Sequence, residues 1–185
     1  NGDSKKAYGT PTILTHKGRG QLIAPAGVAT EALDPMSGKL LWTARTGGMN
    51  ASGCPQYGHG LAYVNNGMGS MSAIKPDGTG DLEEVWSTRR NIPKKSSMIL
   101  HRAHLYMAAD TGVVSCLEAR SGKPAWSERL GAGEFAASPI LAKDRIYFFG
   151  MKGDVAVVAA SPQFKVLARG KFADGFMATP AVIGN

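Results

Sequence analysis

The sequence predicts an all-β protein, a β-propeller of four-stranded antiparallel blades, and two observations carry this prediction. First, Trp42, Trp86 and Trp126 are separated by 44 and 40 residues, and Leu167 lies 41 residues beyond the last, so the chain repeats itself. Second, no segment keeps an apolar period near 3.6, whereas short β-favouring runs recur between glycine-bearing turns. Four short strands in a repeat of about forty residues are typical of a propeller blade.

A second landmark marks the start of each repeat. Prolines stand there at positions 11, 55, 139 and 180, and Ser97 takes the place of the missing one in the third repeat. Because two independent markers share one period, the repeats can be placed along the chain. We expect about four blades plus one extra strand, a partial or half ring. The blades are predicted at about 9–47, 51–88, 92–131 and 134–171, with 176–185 opening a further blade.

The strands within a repeat follow one order. A run such as RIYFFG (145–150) leads into the turn MKGD and then into a second run, VAVVAA (155–160). HLYMAA (104–109) and GLAYVN (60–65) take the same place in the preceding repeats. A turn with Ser-Gly-Lys or Asp-Gly comes next, and a last strand surrounds the tryptophan. This order predicts an antiparallel meander joined by tight turns, in which glycine supplies the positive φ.

One ten-residue phrase occurs twice, as LDPMSGKLLW (33–42) and as LEARSGKPAW (117–126). The acidic residue is expected to cap the turn by accepting hydrogen bonds from backbone N–H groups. The tryptophan is expected to bury its large ring between adjacent blades, where its N–H can reach a neighbour's carbonyl. The predicted blade-docking residues are Trp42, Trp86, Trp126, Gly38 and Gly122.

These repeats resemble those of the PQQ-like, quinoprotein-type propellers. That superfamily includes the quinoprotein alcohol dehydrogenases and the non-catalytic BamB-type outer-membrane assembly propellers, to which this chain is nearest. The family motif Ala-x-Asp-x-x-[Thr/Ser]-Gly-Lys-x-x-Trp matches at 32–42, whereas the second copy has Cys116 and Glu118 for the Ala and the Asp. The second repeat (IKPDGTGDLEEVW) is degenerate, and the fourth (ASPQFKVLA) has lost both the Ser-Gly-Lys and the tryptophan. The resemblance extends from about Gly9 to the C-terminus.

The resemblance implies a non-catalytic scaffold for protein or other ligands, with no cofactor expected. The alternative is a segment of a PQQ-dependent quinoprotein dehydrogenase whose catalytic residues lie outside this chain, with PQQ and calcium as cofactors. Such enzymes commonly carry an adjacent Cys-Cys pair, whereas Cys54 and Cys116 here are 62 residues apart. The sequence has no zinc-ligand spacing, no Ser/His/Asp order and no phosphate loop, so it contains no motif that indicates catalysis. A disulfide between the two cysteines stays open, because spacing cannot supply its geometry.

A meander places its first and third turns on one face of the disc, here called the first face. Its second turn and the interblade linker lie on the opposite, second face. The linkers lead to the innermost strands, so their residues can reach the central channel. Candidate ligand contacts there are Asn50, Arg89, Arg90, Lys94, Lys95 and Glu134. The first face carries a basic rim of Lys17, Arg19, Lys39, His59, His101, Arg102, His104, Lys123, Lys143, Arg145 and Lys165.

The formal net charge of +7 favours anionic partners, although a solvated basic surface with no partner is the simpler interpretation. The single basic cluster, TRRNIPKK (88–95), is too short to indicate nucleic-acid binding. Expected partners are a protein or the missing blades of the same propeller, since the chain reads as a fragment of a longer one. A homodimer that closes an eight-bladed ring is the alternative. No apolar run is long enough to cross a membrane, and the resemblance implies a periplasmic or otherwise extracytoplasmic location.

Overall fold

The structure, a computed structural model, describes residues 6–131 and 133–183. These residues form seventeen β-strands and no helix. The strands make four successive antiparallel sheets, which confirms the predicted propeller fold. Three apolar cores each join one sheet to the next, so the blades form an open arc rather than a closed ring.

Blade 1 is a meander in which each strand pairs with the next one along the chain. Side chains alternate between the two faces of a strand, so Ile23 enters the core toward blade 2 while Leu22 faces the other way. Hairpin Lys17–Gly18 has positive φ at both residues, which matches the twist of the flanking strands. The strands are β1 (Thr12–His16), β2 (Arg19–Pro25), β3 (Thr30–Leu33) and β4 (Leu40–Ala44).

Blade 2 follows the same meander, and its two central strands are buried along their whole length. Their faces contribute to two cores, since Val64 and Ile74 pack toward blade 1 while Tyr63 and Met71 pack toward blade 3. The segment contains β5 (Gln56–Gly58), β6 (Leu61–Asn65), β7 (Met71–Ile74), β8 (Gly80–Leu82) and β9 (Glu84–Thr88).

Strand β8 does not belong to the sheet of its own repeat. It leaves the loop between β7 and β9 and pairs in parallel with β4, with Trp42 opposite Gly80. Blade 1 therefore has five strands, one more than the predicted four. The degenerate part of the second repeat forms this strand, and its short run Gly-Asp-Leu carries no strand pattern that sequence reasoning could detect.

Blades 3 and 4 are regular four-stranded meanders. The core between them contains Tyr106 and Val114 from blade 3 and Ile146 and Phe148 from blade 4. The strands of blade 3 are β10 (Ile99–His101), β11 (His104–Ala108), β12 (Val113–Glu118) and β13 (Pro124–Arg129). Those of blade 4 are β14 (Ile140–Ala142), β15 (Arg145–Phe149), β16 (Asp154–Ala159) and β17 (Val166–Lys171).

Every blade has a register shift at the same place between the third and fourth strands of its meander. In blade 3 Trp126 pairs with Cys116, and the residue before it is the extra one. In blade 4 Ala168 pairs with Val157. By this register Ala168 occupies the tryptophan position, so the alignment of Leu167 with the tryptophans is wrong by one residue.

The C-terminal segment has no strand in residues 176–183. Phe176 packs against Phe149 of blade 4, with ring centroids 5.2 Å apart. Residues 184 and 185, the end of the segment predicted to open a further blade, lie outside the described residues. That part of the domain prediction stays a prediction. Within the described ranges, no helix has the length and hydropathy that a membrane crossing requires.

Candidate functional site

The outer corner of a blade is a turn held by its acidic residue. In blade 1 Asp34 Oδ1 accepts the backbone N–H groups of Met36 and Ser37 at 3.1 and 2.9 Å, and the Ser37 hydroxyl at 2.9 Å. These bonds lower the pKa of Asp34, the Ser37 N–H most, then the Ser37 hydroxyl and the Met36 N–H. Gly38 closes the turn with a φ of 69°. The acidic residue therefore fixes the turn locally, as its position in the phrase predicts.

The same turn in blade 3 also touches the preceding blade. Glu118 accepts the Ser121 hydroxyl at 2.8 Å, and Gly122 has the same φ of 69°. The indole ring of Trp86 lies directly on Gly122, so that a Cβ there would come within 2.6 Å of Trp86 Cε3. At Gly38, by contrast, no described residue comes within 4 Å of such a Cβ. Gly122, the turn glycine of blade 3, is thus the contact surface for Trp86 of the preceding blade.

Two tryptophans reach the next blade directly through their indole N–H. Trp86 Nε1 donates to the carbonyl of Ala119 at 3.1 Å, and Trp126 Nε1 donates to the carbonyl of Ser161 at 2.9 Å. Trp126 also meets the edge of Phe164, with ring centroids 5.1 Å apart. Each tryptophan thereby joins its own outer strand to the third turn of the following blade.

Trp42 reaches the next blade through an intermediary. Its Nε1 donates to Gln21 Oε1 at 2.7 Å, and Gln21 Nε2 donates to the carbonyl of Pro76 at 2.8 Å. Both side chains are buried, Trp42 with only 1% of its surface exposed. The Gln21 amide therefore carries the hydrogen-bonded link from Trp42 to blade 2. Sequence reasoning missed this residue because a lone glutamine in a strand carries no signal.

Blade 4 presents a different outer surface. Tyr106 and Cys116 of blade 3 are buried beneath Trp126, whereas the residues at the same register positions in blade 4, Tyr147 and Val157, are only half-buried. Ala168 stands beside them where the other blades have a tryptophan. This face of blade 4 is apolar but has no tryptophan of its own.

Polar contacts on the first face join blades 1, 2 and 3 each to the next blade. Lys17 Nζ lies 3.0 Å from Asp77 Oδ2, and His59 Nε2 lies 2.7 Å from the carbonyl oxygen of Arg102. Asp144 receives His101 Nε2 at 3.2 Å and Arg102 at 2.9 Å. Lys17, and after it Lys75, lowers the pKa of Asp77 by hydrogen bonding. Part of the predicted basic rim is therefore engaged in contacts between blades.

A second chain of contacts joins residues that lie just before the innermost strands of blades 2 to 4 and the C-terminal segment. The N–H of Cys54 donates to Ser97 Oγ at 3.0 Å, the N–H of Ser97 to Ser138 Oγ at 2.9 Å, and the N–H of Ser138 to Thr179 Oγ1 at 3.0 Å. Ser97 is thus equivalent to Cys54 and Ser138, which precede a proline. The alignment of Ser97 with the prolines was wrong, and Met98 holds the proline position.

The six predicted channel contacts do not meet in one cavity. Arg89 lines a cavity of about 330 Å³ between the first linker and the second turn of blade 2. Arg90 lines a cavity of about 40 Å³, and Glu134 lines one of about 320 Å³ beside Lys152. The other three are exposed: Lys94 and Lys95 contact Asp110, and Asn50 donates its N–H to the Lys6 carbonyl.

Both cysteines are free thiols. Cys116 is fully buried, and burial raises the pKa of its thiol to about 12, a shift that its hydrogen bond with Tyr106 partly offsets. Burial also raises the pKa of Tyr63 to about 12. In residues 6–131 and 133–183, no three or more His, Cys, Asp or Glu side chains are grouped to hold one metal ion.

Comparisons with known proteins point to one family. The family model described as "Outer membrane protein assembly factor BamB" matches residues 25–163. Among solved structures, BamB from Moraxella catarrhalis superposes with a TM-score of 0.67 at 13% identity, over 92% of this chain and 55% of that one. The chain thus spans about half the length of that protein. A search of curated proteins finds no match.

Proposed function

The chain belongs to the family described as outer membrane protein assembly factor BamB, and we propose that it acts as a non-catalytic propeller scaffold that binds a protein partner. The observation that carries this proposal is that polar side chains on the first face and at the outer strands are engaged in contacts between blades. Lys17, His101 and Asp144 hold one blade against the next, as do the tryptophan N–H groups. A rigid set of stacked blades that presents loops on two faces suits a scaffold.

The family description also supports a place of action. We propose that the protein works outside the cytoplasm in the assembly of outer-membrane proteins. The test is to delete its gene in the organism of origin and to measure the abundance of folded outer-membrane proteins in isolated membranes. We expect a decrease that the wild-type gene restores. Unchanged abundance in the deletion strain would contradict the assembly role.

The tryptophans and turn glycines are proposed to dock successive blades. The contact of the Trp86 ring with Gly122 shows how such docking is made. Gly38 offers an equivalent, uncovered glycine surface on the open side of blade 1. On that side Ile13 and Leu40 are 63% and 50% exposed. A further blade packed against this side would bury both side chains. We therefore propose that a tryptophan-bearing blade of the same propeller covers this face.

A homodimer that closes an eight-bladed ring fits the open faces less well. It would place the outer face of blade 4, with Ala168, against the Gly38 turn of a second copy. Ala168 opposite Gly38 would leave a cavity of nearly the size of an indole ring. Such a cavity costs several kcal/mol, about as much as a Trp→Ala substitution in a core. Sedimentation equilibrium tests this: a homodimer predicts twice the chain mass, and our proposal predicts no stable dimer through these faces.

The quinoprotein alternative has no observation in its favour. It would need oxygen ligands for calcium, and the described residues offer no grouped set of three or more carboxylate, His or Cys side chains. On this alternative the calcium ligands and catalytic residues lie in blades outside this chain. Titration of the protein with PQQ and calcium tests this alternative, which predicts saturable binding.

A further inference from the structure

A cavity of about 240 Å³ opens on the first face where blade 1 meets blade 2. Its walls are the first turn of blade 1, with His16, Lys17 and Arg19, and the third turn of blade 2, with Asp77. The cavity thus lies among residues of the predicted basic rim. Gln21 and Pro76, which link Trp42 to blade 2, line it as well.

His16 in the wall of this cavity is a buried histidine with an unfilled hydrogen-bonding position. Only 7% of the residue is exposed, and its Nδ1 lies 2.7 Å from the Tyr57 hydroxyl. Its other nitrogen, Nε2, is buried and has no hydrogen-bond partner among the described residues. A buried polar atom without a partner is costly, so native structures nearly always supply one. When the Tyr57 hydroxyl donates to Nδ1, Nε2 carries the proton and requires an acceptor.

The repeat itself indicates which acceptor fits. His101 ends the first strand of blade 3 as His16 ends that of blade 1, and its Nε2 lies 3.2 Å from Asp144 Oδ1. Asp144 is the second residue of the first turn in the following blade. The same position in blade 2 is Gly60, which has no side chain. The junction between blades 1 and 2 therefore lacks the carboxylate that its counterpart contains.

The charges around the cavity favour an anion. Asp77 is already paired with Lys17 at 3.0 Å and with Lys75 at 3.1 Å. Arg19 adds a third positive charge, and its nearby negative group, Asp34, is occupied by the N–H groups of its own turn. Arginine offers a planar pair of donors that suits a carboxylate.

We propose that this cavity binds a carboxylate, which accepts hydrogen bonds from His16 Nε2 and the Arg19 guanidinium. The ligand takes the place that the Asp144 carboxylate occupies between blades 3 and 4. Its source is either a small free carboxylate or an acidic side chain of a protein. The site does not depend on the scaffold role, since it would bind the ligand whether or not the protein assists assembly.

Imidazole ¹⁵N NMR of the intact protein tests the proposal, since its four histidines give few signals. Sodium acetate replaces sodium chloride at constant ionic strength, and a peptide with one internal Glu and inorganic phosphate are titrated separately. We expect acetate to shift the His16 Nε2 signal saturably while the His101 signal stays in place. If the peptide binds at least tenfold more tightly than acetate, the source is a protein side chain. If its affinity falls below that threshold, the source is a free carboxylate. A His16 response to phosphate but not to acetate would overturn the proposal, as would no response at all.

Two pairs of variants provide matched controls. Arg19→Gln should weaken acetate binding about fivefold, the loss of roughly one charge-assisted hydrogen bond. Arg145→Gln, at the same position of blade 4, should leave it unchanged. Gly60→Asp should supply the carboxylate within the chain and abolish the response to acetate. Gly60→Asn carries the same backbone cost at a φ of 76° without the charge, and should keep the response. Equal acetate binding by Gly60→Asp and Gly60→Asn would contradict the proposal.

Discussion

Trp42 and Trp86 hold equivalent positions in their blades but make different contacts. Trp42 lies at the junction between blades 1 and 2, and Trp86 lies at the junction between blades 2 and 3. Trp86 lies half-buried on Gly122 and bonds the next blade directly at the Ala119 carbonyl. Trp42 is almost fully buried, bonds through Gln21, and belongs to an outer strand whose edge β8 covers. The turn of the following blade differs between the two junctions. The partner turn, rather than the tryptophan phrase, therefore decides how a junction is built.

The largest difference is expected from removing the tryptophans. Trp42→Ala should lower the free energy of unfolding by about 4 kcal/mol, because it empties a closed core site and leaves the Gln21 amide without its donor. Trp86→Ala should cost about 2 kcal/mol, because part of its ring is already in water. Urea unfolding followed by far-UV circular dichroism measures both. Equal losses would mean that the two junctions do not differ in burial.

A smaller and cleaner comparison uses the two turn glycines. Gly38 and Gly122 share a φ of 69°, so replacement by alanine costs each about 1 kcal/mol for the left-handed backbone. At Gly122 the new methyl group also meets the Trp86 ring, whereas at Gly38 it meets open space. We expect Gly122→Ala to cost about 2 kcal/mol more than Gly38→Ala in urea unfolding. Identical costs would show that Trp86 does not lie on Gly122.

Much of this arrangement could be predicted from the sequence, because it repeats. The period of the tryptophans placed the blades, and the phrase around Gly38 and Gly122 placed the turns. The Gln21 bridge, strand β8 and the unfilled position at His16 could not be predicted. Each depends on a contact with one particular neighbouring blade, and sequence periodicity carries no information on such pairs. The same limit explains the misplaced Ser97, whose role is visible only in its hydrogen bonds to two other blades.

The Gln21 bridge gives the next prediction. Gln21→Leu keeps the volume of the side chain but leaves the Trp42 N–H and the Pro76 carbonyl without partners. We expect a loss of about 2 kcal/mol in the free energy of unfolding. Gln56→Leu is the control, since Gln56 Nε2 makes only a 3.3 Å bond to the adjacent Pro55 carbonyl. Equal effects of the two variants would show that the Gln21 hydrogen bonds do not stabilise the junction between blades 1 and 2.

The smallest effect concerns Asp77 in the junction between blades 1 and 2. Lys17 and Lys75 lower its pKa below the ordinary 3.8, so the ionised form stabilises the folded protein. This stabilisation is complete above about pH 3.8 and disappears as the pH falls toward the lowered pKa. Asp77→Asn should therefore be slightly less stable than wild type at pH 6, with the difference vanishing in strong acid. Thermal unfolding across this pH range checks it, and a constant difference would contradict the ion pairs.

The central claim is that Trp86 of blade 2 docks on Gly122, the turn glycine of blade 3, and a double-mutant cycle on these two residues tests it most directly. Trp86→Ala removes the ring that the methyl group of Gly122→Ala would strike. The glycine substitution should therefore cost about 2 kcal/mol less in the Trp86→Ala background than in wild type, a coupling typical of residues in contact. Additive effects in urea unfolding, with no coupling beyond about 0.5 kcal/mol, would contradict the docking claim.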